Sequence, residues 1–381
     1  MKALSYLLLK KSIDMEALSL NHVCDYHVNI PHTLLSMKNT VRNTSKKSRD
    51  SAAATNRMED VALEAQVALV TVSRAINHPS QLAPKTLEKV QAAIQKLGYV
   101  PNLTAGSLAS AKPRIIAAVV PTISNSFFSE TIEALANTLD QHGYQLLLGQ
   151  TFYREANETK IVEAFLGRRV DGIVLTGVHH EKTLVRRLRA SGIPVVEIWE
   201  HDPKPIDMLV GFSNFDAGLA AARFLIARGY KQLGYLGGYE HRSQQRLQGL
   251  RQEARQYADV SVHAIETASP SPIENGVAGL LELKKQAPRL DAVFCSNDML
   301  AASAIYECAR QNWKVPGDIA IMGFADLPIA SACHPRLTTI RVHRRAMGEC
   351  TARLLLDRLQ GRPIASMALD LGFDVIERES A

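Results

Sequence analysis

Hydrogen-bonding side chains follow one another at helical spacing near residue 70 of this 381-residue chain. Thr71 and Ser73 carry hydroxyl groups, and Arg74 can bind the edge of a guanine base through two parallel hydrogen bonds. Leu69 and Val70 precede them without hydrogen-bonding groups, so they can contact only thymine methyl groups or the shape of a groove. These residue types in this order predict a surface that contacts double-stranded DNA.

Two short helices joined by a tight turn are needed to present these side chains together. Apolar residues recur at helical spacing on either side of the turn, at Val61, Ala62, Ala65, Val67, Val72 and Ile76. Burying that face leaves residues 69–71, Ser73 and Arg74 facing outward. This arrangement is typical of a helix-turn-helix, whose second helix lies in the major groove of DNA.

A second motif follows downstream, where Lys96–Asn102 reads KLGYVPN and is followed by Leu108-Ala109-Ser110. Together with the helix pair, these residues resemble the DNA-binding headpiece and hinge of the LacI/GalR family of bacterial repressors. The resemblance implies contacts with the bases and backbone of operator DNA from Leu69, Val70, Thr71, Ser73, Arg74, Asn77, Thr86, Asn102 and Leu108.

Leu108 matches the hinge leucine that wedges into the minor groove at the operator centre in this family. Inserting an apolar side chain kinks the duplex at a cost on the order of a few kcal/mol, which wider contact offsets. A pair of such hinges requires a homodimer on a palindromic site. The alternative is that Leu108 packs within the linker. Residues 375–381 contain no heptad repeat, which favours a dimer over a tetramer built by a terminal coiled coil.

The headpiece departs from the family pattern at several positions. Gln66 occupies the turn position that is usually glycine, so a left-handed backbone there carries a cost. Ala68 stands where serine or threonine usually caps the second helix, and such caps are typically worth about 1 kcal/mol. The segment from Met58 to Lys112 is also barely basic, with five lysines and arginines against four acidic residues. These features leave open both the operator sequence and the strength of DNA binding.

Length and composition indicate an ordinary globular protein of more than one domain. The chain is 46% apolar and 22% charged, with a net charge of +6 that permits nucleic-acid binding without showing it. Its longest apolar stretches, such as Ile115–Val120, are far too short to span a bilayer. The five cysteines are scattered, form no CxxC pair and indicate reduced thiols. Because Lys10 and Lys11 interrupt the first apolar run, we expect no secretory signal and a cytoplasmic protein.

Residues 1–55 fit nothing that follows them. The segment 38–49 carries five positive charges and no acid, and its low hydrophobicity predicts a disordered basic extension. That extension is either an arm that contacts DNA phosphates or a solvated tail, including one translated from an upstream start. We then predict a headpiece over 56–103, a hinge over 104–113 and a core over 114–381.

From residue 114 onward, strand patterns alternate with helix patterns. Apolar strands are predicted at Ile115–Val120, Gln145–Leu148, Gly172–Leu175, Pro194–Ile198, Gln232–Leu236, Ala292–Cys295 and Ile319–Gly323. Helices are predicted at Phe127–His142, Lys160–Arg168, Ala217–Arg228, Ser243–Tyr257, Gly276–Gln286 and Met299–Arg310. This alternation predicts parallel sheets with right-handed crossovers, and the number of units favours two doubly wound lobes around a cleft.

The predicted fold class is therefore α/β: a small all-α helix-turn-helix headpiece and hinge, followed by a two-lobed core of doubly wound parallel sheets. The core resembles the periplasmic sugar-binding-protein fold that the LacI/GalR family uses to sense effectors. Ligands of such folds bind at the carboxyl ends of the strands. The resemblance implies effector contacts at Asn125, Phe127, Trp199, Arg246, Asn297 and Ala325.

Two of these residues indicate the charge of the effector. Ala325 replaces an acidic residue that sugar-binding members often carry, whereas Arg246 can bind a carboxylate through two hydrogen bonds. The segments Pro194–Glu197, Val210–Phe215 and Asp291–Asp298 look most like the gluconate-operon repressor branch of the family. The implied effector is a sugar acid such as gluconate. The alternative for Arg246 is a structural ion pair with a helix acid.

No catalytic residue, metal ligand or cofactor is predicted. Leu233–Gly238 is rich in glycine but lacks GxGxxG spacing, and His179 and His180 lack metal-ligand spacing and are expected on the surface. No GxSxG, P-loop or paired-carboxylate motif is present. An effector-controlled repressor is the leading function. A sugar-binding or transport protein of the same core fold and a cytosolic sugar-acid enzyme are the alternatives.

Overall fold

The computed structural model describes residues 56–100, 113–124, 126–267 and 273–381. These residues form two compact units that divide between Tyr99 and Val100: a small headpiece and a larger core. Predictions for residues 1–55, Asn102, Leu108 and Asn125 lie outside the described residues. The boundaries of the hinge therefore stay predictions.

The described part of the headpiece consists of helices and one short turn: α1 (Met58–Glu64), α2 (Leu69–Asn77), the 3₁₀ turn Pro79–Gln81 and α3 (Pro84–Leu97). The predicted helix pair is confirmed, with Val61 and Val72 fully buried between the helices. Helix α3, which the sequence analysis did not predict, closes this small core with Val90 and Ala93. It ends at Gly98, whose φ of +59° is the left-handed conformation that glycine adopts without steric cost.

The turn between α1 and α2 has both of the destabilising features expected from its sequence, a left-handed residue with a Cβ and an uncapped helix. Gln66 has a φ of +54°, in the left-handed region that costs a residue with a Cβ roughly 1–2 kcal/mol. Ala68 is the N-cap of α2, and no side-chain hydrogen bond caps the helix. Backbone hydrogen bonds and packing therefore hold the segment expected to meet DNA, without a side-chain cap.

We expect Ala68→Ser to stabilise α2 by about 1 kcal/mol, because a serine oxygen can accept a hydrogen bond from a free N–H in the first turn. Ala68 already has extended capping geometry, with φ −67° and ψ 151°, so no rearrangement is needed. Hydrogen exchange of residues 69–77 in the full chain should slow by about fivefold. Ala68→Val, which offers no oxygen at the same exposed position, is the control and should not slow it. Unchanged exchange in Ala68→Ser would contradict the capping argument.

Two sheets flanked by helices form the core. The strands are β1 (Ile115–Val120), β2 (Gln145–Gln150), β3 (Gly172–Thr176), β4 (Val195–Ile198), β5 (Met208–Gly211), β6 (Gln232–Gly238), β7 (Ser261–Thr267), β8 (Ala292–Cys295), β9 (Ala320–Ala325), β10 (Thr338–Val342), β11 (Ala368–Asp370) and β12 (Phe373–Ile376). The helices are α4 (Ser129–Asp140), α5 (Glu155–Gly167), α6 (Lys182–Ser191), α7 (Asn214–Ala227), α8 (His241–Ala254), α9 (Glu274–Gln286), α10 (Asp298–Arg310), α11 (Pro328–Ala332) and α12 (Arg344–Leu359).

The strand order defines two lobes. The N-terminal lobe has the order β11-β5-β4-β3-β1-β2, and the C-terminal lobe has the order β12-β10-β9-β8-β6-β7. Neighbouring strands are parallel except for β12, which runs antiparallel to β10. The chain passes from one lobe to the other after β5, after β10 and after β11. The predicted pair of doubly wound lobes is confirmed, and the strand ends of both lobes face a common cleft.

Every strand predicted for the core is present, with ends displaced by a few residues at most. Strands β5, β7 and β10–β12 were not predicted, because they are short or carry polar residues among the apolar ones. Helix α12, where Arg344 and Thr351 are buried together with apolar residues, was not predicted either. No helix in the described ranges is long and apolar enough to cross a membrane.

Candidate DNA-binding surface and effector cleft

Helix α2 turns its predicted DNA contacts towards solvent. Leu69 and Val70 are 44% and 56% exposed, whereas Val72 is fully buried. The other predicted contacts on this helix are exposed or half-buried: Thr71, Ser73, Arg74 and Asn77. One face of α2 therefore presents apolar and hydrogen-bonding groups side by side.

Neighbouring contacts orient some of these groups. Asn77 donates from Nδ2 to the backbone oxygen of Ser73 at 3.0 Å and approaches the Ser73 hydroxyl at 3.4 Å. Thr86 is half-buried in the first turn of α3. Arg74 forms no ion pair within the described residues, so its guanidinium is free to reach a base edge or a phosphate. The DNA contacts themselves stay predictions.

An aromatic cluster lies in the core where an effector was predicted. Phe127 stacks on Trp199 with ring centroids 4.7 Å apart, and its ring lies 6.1 Å from that of Phe324. The guanidinium of Arg246 lies 4.1 Å above the Phe324 ring, and Ala325 follows Phe324 with a φ of +103°. Phe127 and Trp199 belong to the N-terminal lobe, and the other three belong to the C-terminal lobe. The fold therefore gathers these predicted contacts between the lobes.

Arg246 is 3% exposed and forms no ion pair within the described residues, although the nearby Tyr235 and Glu240 favour its charged form. It donates from Nη1 to the side-chain oxygen of Asn214 and from Nη2 to the backbone oxygen of Ser296 at 3.4 Å. The structure therefore does not show the alternative role of Arg246, an ion pair with a helix acid. Burial lowers the pKa of Arg246, but an arginine stays charged in proteins. Its Nε and the Nε1 of Trp199 are buried donors without a partner among the described residues.

Asn297 is the N-cap residue of α10, because its Oδ1 accepts the N–H of Leu300 at 2.9 Å. This structural role was not predicted, and it leaves the amide nitrogen of Asn297 available to a ligand. The next residue, Asp298, is fully buried and accepts from the Thr339 hydroxyl and the Leu327 N–H, both at 2.6 Å. Burial raises the pKa of Asp298 to about 6.

As the pH rises from 4 to 7, we expect the stability of Asp298→Asn relative to that of the wild type to increase by about 3 kcal/mol. The pKa of Asp298 is about 6 in the fold against a model value of 3.8, so between these values the folded protein holds a proton that the unfolded chain has lost. Wild-type stability therefore falls with rising pH in this window and the penalty is constant above it. Asparagine keeps the shape and removes the charge. Urea unfolding of both proteins across this range measures the difference, and parallel curves would show that the shift is absent.

A cavity of about 430 Å³ lies at the strand ends of both lobes, and none of the predicted effector contacts that the structure describes lines it. Its polar lining residues were not predicted from the sequence. Tyr153, His179, Glu200 and His241 follow β2, β3, β4 and β6, respectively. Tyr153 connects the cavity to the buried arginine: burial raises its pKa to about 12, although the charges of Arg242 and Arg246 oppose the rise. The signal that could have found these residues is their position just beyond the carboxyl ends of strands.

The expectation that both neighbouring histidines lie on the surface is wrong for His180, whose side chain is 1% exposed. Its Nδ1 lies 2.8 Å from Oε2 of Glu158, and its Nε2 lies 3.4 Å from Oε1 of Glu197. Burial alone would lower the pKa of His180, but hydrogen bonds to the two carboxylates raise it to about 10. His180 is thus a buried cation that ties the loop after β3 to α5 and β4. The side chain of His179 is 57% exposed, as expected.

Known proteins match both units of this chain. Residues 57–102 match the family described as bacterial regulatory proteins, lacI family, and residues 222–381 match the periplasmic binding protein-like domain. The chain is 34% identical to the HTH-type transcriptional regulator GntR of Escherichia coli K12, over 83% of this chain and 96% of that protein. It is 37% identical to the regulator of the same name from Pseudomonas aeruginosa, over 85% of this chain and 95% of that protein. The chain belongs to the LacI family.

Solved structures agree with this assignment. A LacI-family transcriptional regulator from Silicibacter pomeroyi superposes with a TM-score of 0.80 at 28% identity, covering 85% of this chain and 99% of that one. The transcription regulator GntR from Chromobacterium violaceum superposes with a TM-score of 0.67 at 33% identity, covering 70% of this chain and 98% of that one. This LacI-family protein is a DNA-binding transcriptional regulator. The predictions of its family, fold class and regulatory function are confirmed, and the enzyme and transport alternatives are not favoured.

Proposed function

We propose that this LacI-family regulator represses genes for the use of a sugar acid, and that a sugar acid such as gluconate releases it from its operator. It acts in the cytoplasm. It acts there as a homodimer, because two headpieces on a palindromic operator match a two-fold axis. The relatives named GntR support this choice of effector, as does the resemblance of segments 194–197, 210–215 and 291–298 to the gluconate-operon repressor branch.

The observation that carries the proposal is the state of Arg246. A buried charge is costly unless it is paired, and the hydrogen bonds of this guanidinium go to the neutral oxygens of Asn214 and Ser296. A carboxylate is the ligand group that compensates it best, because charge-assisted hydrogen bonds to arginine are short and strong. With alanine at position 325, β9 itself adds no negative charge there, and the carboxylate of Asp326, which follows β9, is paired with Arg341 and Arg378.

The surroundings of Arg246 fit the rest of a sugar acid. The indole N–H of Trp199 has no partner among the described residues and can donate to a hydroxyl oxygen. The amide nitrogen of Asn297 is also available, because only its oxygen caps α10. The half-buried ring of Phe127 can pack against the C–H groups of a carbon chain. We therefore assign effector binding to Phe127, Trp199, Arg246, Asn297 and Ala325, with Asn125 as a predicted sixth contact.

The predicted DNA contacts on α2 and α3, together with Asn102 and Leu108, supply operator binding. The effector acts by closing the two lobes, and closure changes the relation of the hinges across the dimer. This is a two-state coupling in which a ligand that prefers one state disfavours the other. Couplings of this kind are typically about 1–3 kcal/mol, or roughly 5–150-fold in affinity.

Isothermal titration calorimetry of the full chain with D-gluconate and with D-glucose tests the effector. The two ligands share a carbon skeleton and differ in the carboxylate, so the comparison isolates the charge that Arg246 is proposed to bind. We expect saturable binding of gluconate and at least about tenfold weaker binding of glucose. Binding of glucose in preference to gluconate would overturn the sugar-acid assignment and leave the regulator itself intact.

A further inference from the structure

Three potential metal ligands from both lobes meet at the edge of the cavity. Oε1 of Glu200 lies 3.9 Å from Nδ1 of His179 and 3.4 Å from Nε2 of His241, and the ligand atoms of the three residues all lie within 4.8 Å of one another. An ion with bonds of about 2.0–2.2 Å to such atoms holds tetrahedral ligands about 3.3–3.6 Å apart. The stacked rings of His179 and His241 have to turn apart for both nitrogens to reach one ion together with Oε1 of Glu200.

The backbone already holds two of these residues in place. Glu200 follows β4, its side chain is 7% exposed, and its Oε2 accepts the N–H of Val178 at 3.2 Å, which leaves Oε1 towards the histidines. A Cβ at Gly211 would lie 1.7 Å from the backbone oxygen of Glu200, so the strand beside it fits closely against that residue. His241 is the first residue of α8 in the opposite lobe. The carboxylate is therefore oriented by a hydrogen bond in the manner of a metal ligand.

An ion pair between Glu200 and protonated histidines explains this group less well than a metal site does. The rings of His179 and His241 lie with centroids 3.5 Å apart, so two protonated imidazoles would repel each other strongly. A neutral imidazole offers a nitrogen lone pair, which is the form that binds a metal ion.

We propose that His179, Glu200 and His241 bind a divalent transition-metal ion of the Zn²⁺ type that bridges the two lobes. Two imidazoles and one carboxylate suit Zn²⁺, whereas Mg²⁺ and Ca²⁺ prefer all-oxygen sites. Three protein ligands leave a coordination position that faces the cavity, where water completes the shell. Glu200 and the nearby Glu240 offset the charge of Arg242, which lines the same cavity. Because its ligands come from both lobes, the ion stabilises the closed arrangement of the cleft, whatever the effector is.

Zinc titration of the metal-stripped full chain, in competition with a chromophoric chelator, tests the site. His179→Ala, Glu200→Gln and His241→Ala should each weaken binding by more than the roughly 10–100-fold that loss of an outer-sphere partner causes. His142→Ala, which removes an exposed histidine at the end of α4, is the control and should bind as the wild type does. The sequence also contains His22, Cys24 and His27, so only the difference between wild type and variants counts.

A second measurement distinguishes metal binding by these three residues from a purely structural role. Zn²⁺ should raise the melting temperature of the wild type and of His142→Ala but not of the three variants, since a ligand stabilises only the state that binds it. Co²⁺ should give tetrahedral visible absorption in the wild type and in His142→Ala but not in the three variants. His179 is exposed, so His179→Ala keeps the test valid even if a substitution at buried Glu200 impairs folding. Equal zinc affinity and equal thermal shifts in wild type and His179→Ala would overturn the proposal.

Discussion

Arg246→Met is expected to abolish the response to gluconate while leaving operator binding in place. The substitution keeps the unbranched, apolar stem of the side chain and removes the guanidinium. Truncating one partner of a buried, hydrogen-bonded charge pair costs about 2–5 kcal/mol, which corresponds to a loss of affinity of roughly 30- to several thousand-fold. Calorimetry of gluconate binding measures this loss, and operator titration shows that the headpiece is unaffected.

The stability of Arg246→Met should stay within about 2 kcal/mol of the wild type. Methionine leaves the oxygen of Asn214 without a donor, which costs about 1–3 kcal/mol, but it also removes a buried charge. Arg251→Met is the matched control, because Arg251 lies on the same helix, α8, and is exposed. The control should bind gluconate normally. If Arg246→Met binds gluconate as tightly as Arg251→Met does, the guanidinium does not hold the carboxylate.

Gly218→Ala is expected to destabilise the core by about 1–3 kcal/mol or more, the range found when atoms are inserted into a packed interior. A Cβ at Gly218 would lie 2.0 Å from the backbone oxygen of Arg246 and 2.8 Å from its carbonyl carbon. Helices α7 and α8 would have to separate, because backbone atoms cannot turn aside as a flexible side chain can. Since the displaced backbone belongs to Arg246, gluconate affinity should fall together with the melting temperature.

Gly167→Ala is the matched control for this prediction. Gly167 is the last residue of α5, and a Cβ there would meet nothing within 4 Å. Alanine is a better helix former than glycine, so this variant should be neutral or more stable by up to about 1 kcal/mol. Calorimetric melting of the two variants and the wild type measures both effects. Equal melting temperatures for Gly218→Ala and Gly167→Ala would contradict the close contact between α7 and α8.

The fold was largely predictable where a single physical pattern dominates. Buried parallel strands such as β1 and β8 are continuous apolar runs, and the sequence places them correctly. The missed strands lie where that pattern is broken. β7 has every residue half-buried, and β11 has only three residues. β7 is placed by its pairing with β6, the strand before it in the chain, whereas β11 is placed by its pairing with β5, which is distant in sequence.

The site was predictable only in part, because its polar residues have no spacing of their own in the sequence. Arg246 was found through the resemblance, but its neutral partners Asn214 and Ser296 come from different strand ends and appear only in the fold. His179 and His241 lie far apart in the chain and meet because β3 and β6 end at the same cleft. The burial of His180 depends in the same way on two glutamates from separate elements.

Fluorescence-anisotropy titration of the full chain onto a palindromic, family-type operator tests the central claim most directly. The titration is run with and without D-gluconate at two salt concentrations, against a scrambled duplex of equal length. We expect specific binding that gluconate weakens by at least about fivefold, in line with the usual size of such couplings. Non-specific binding arises from phosphate contacts and falls steeply with salt. Equal affinity for both duplexes, or operator binding that gluconate leaves unchanged, would contradict a sugar-acid-controlled repressor.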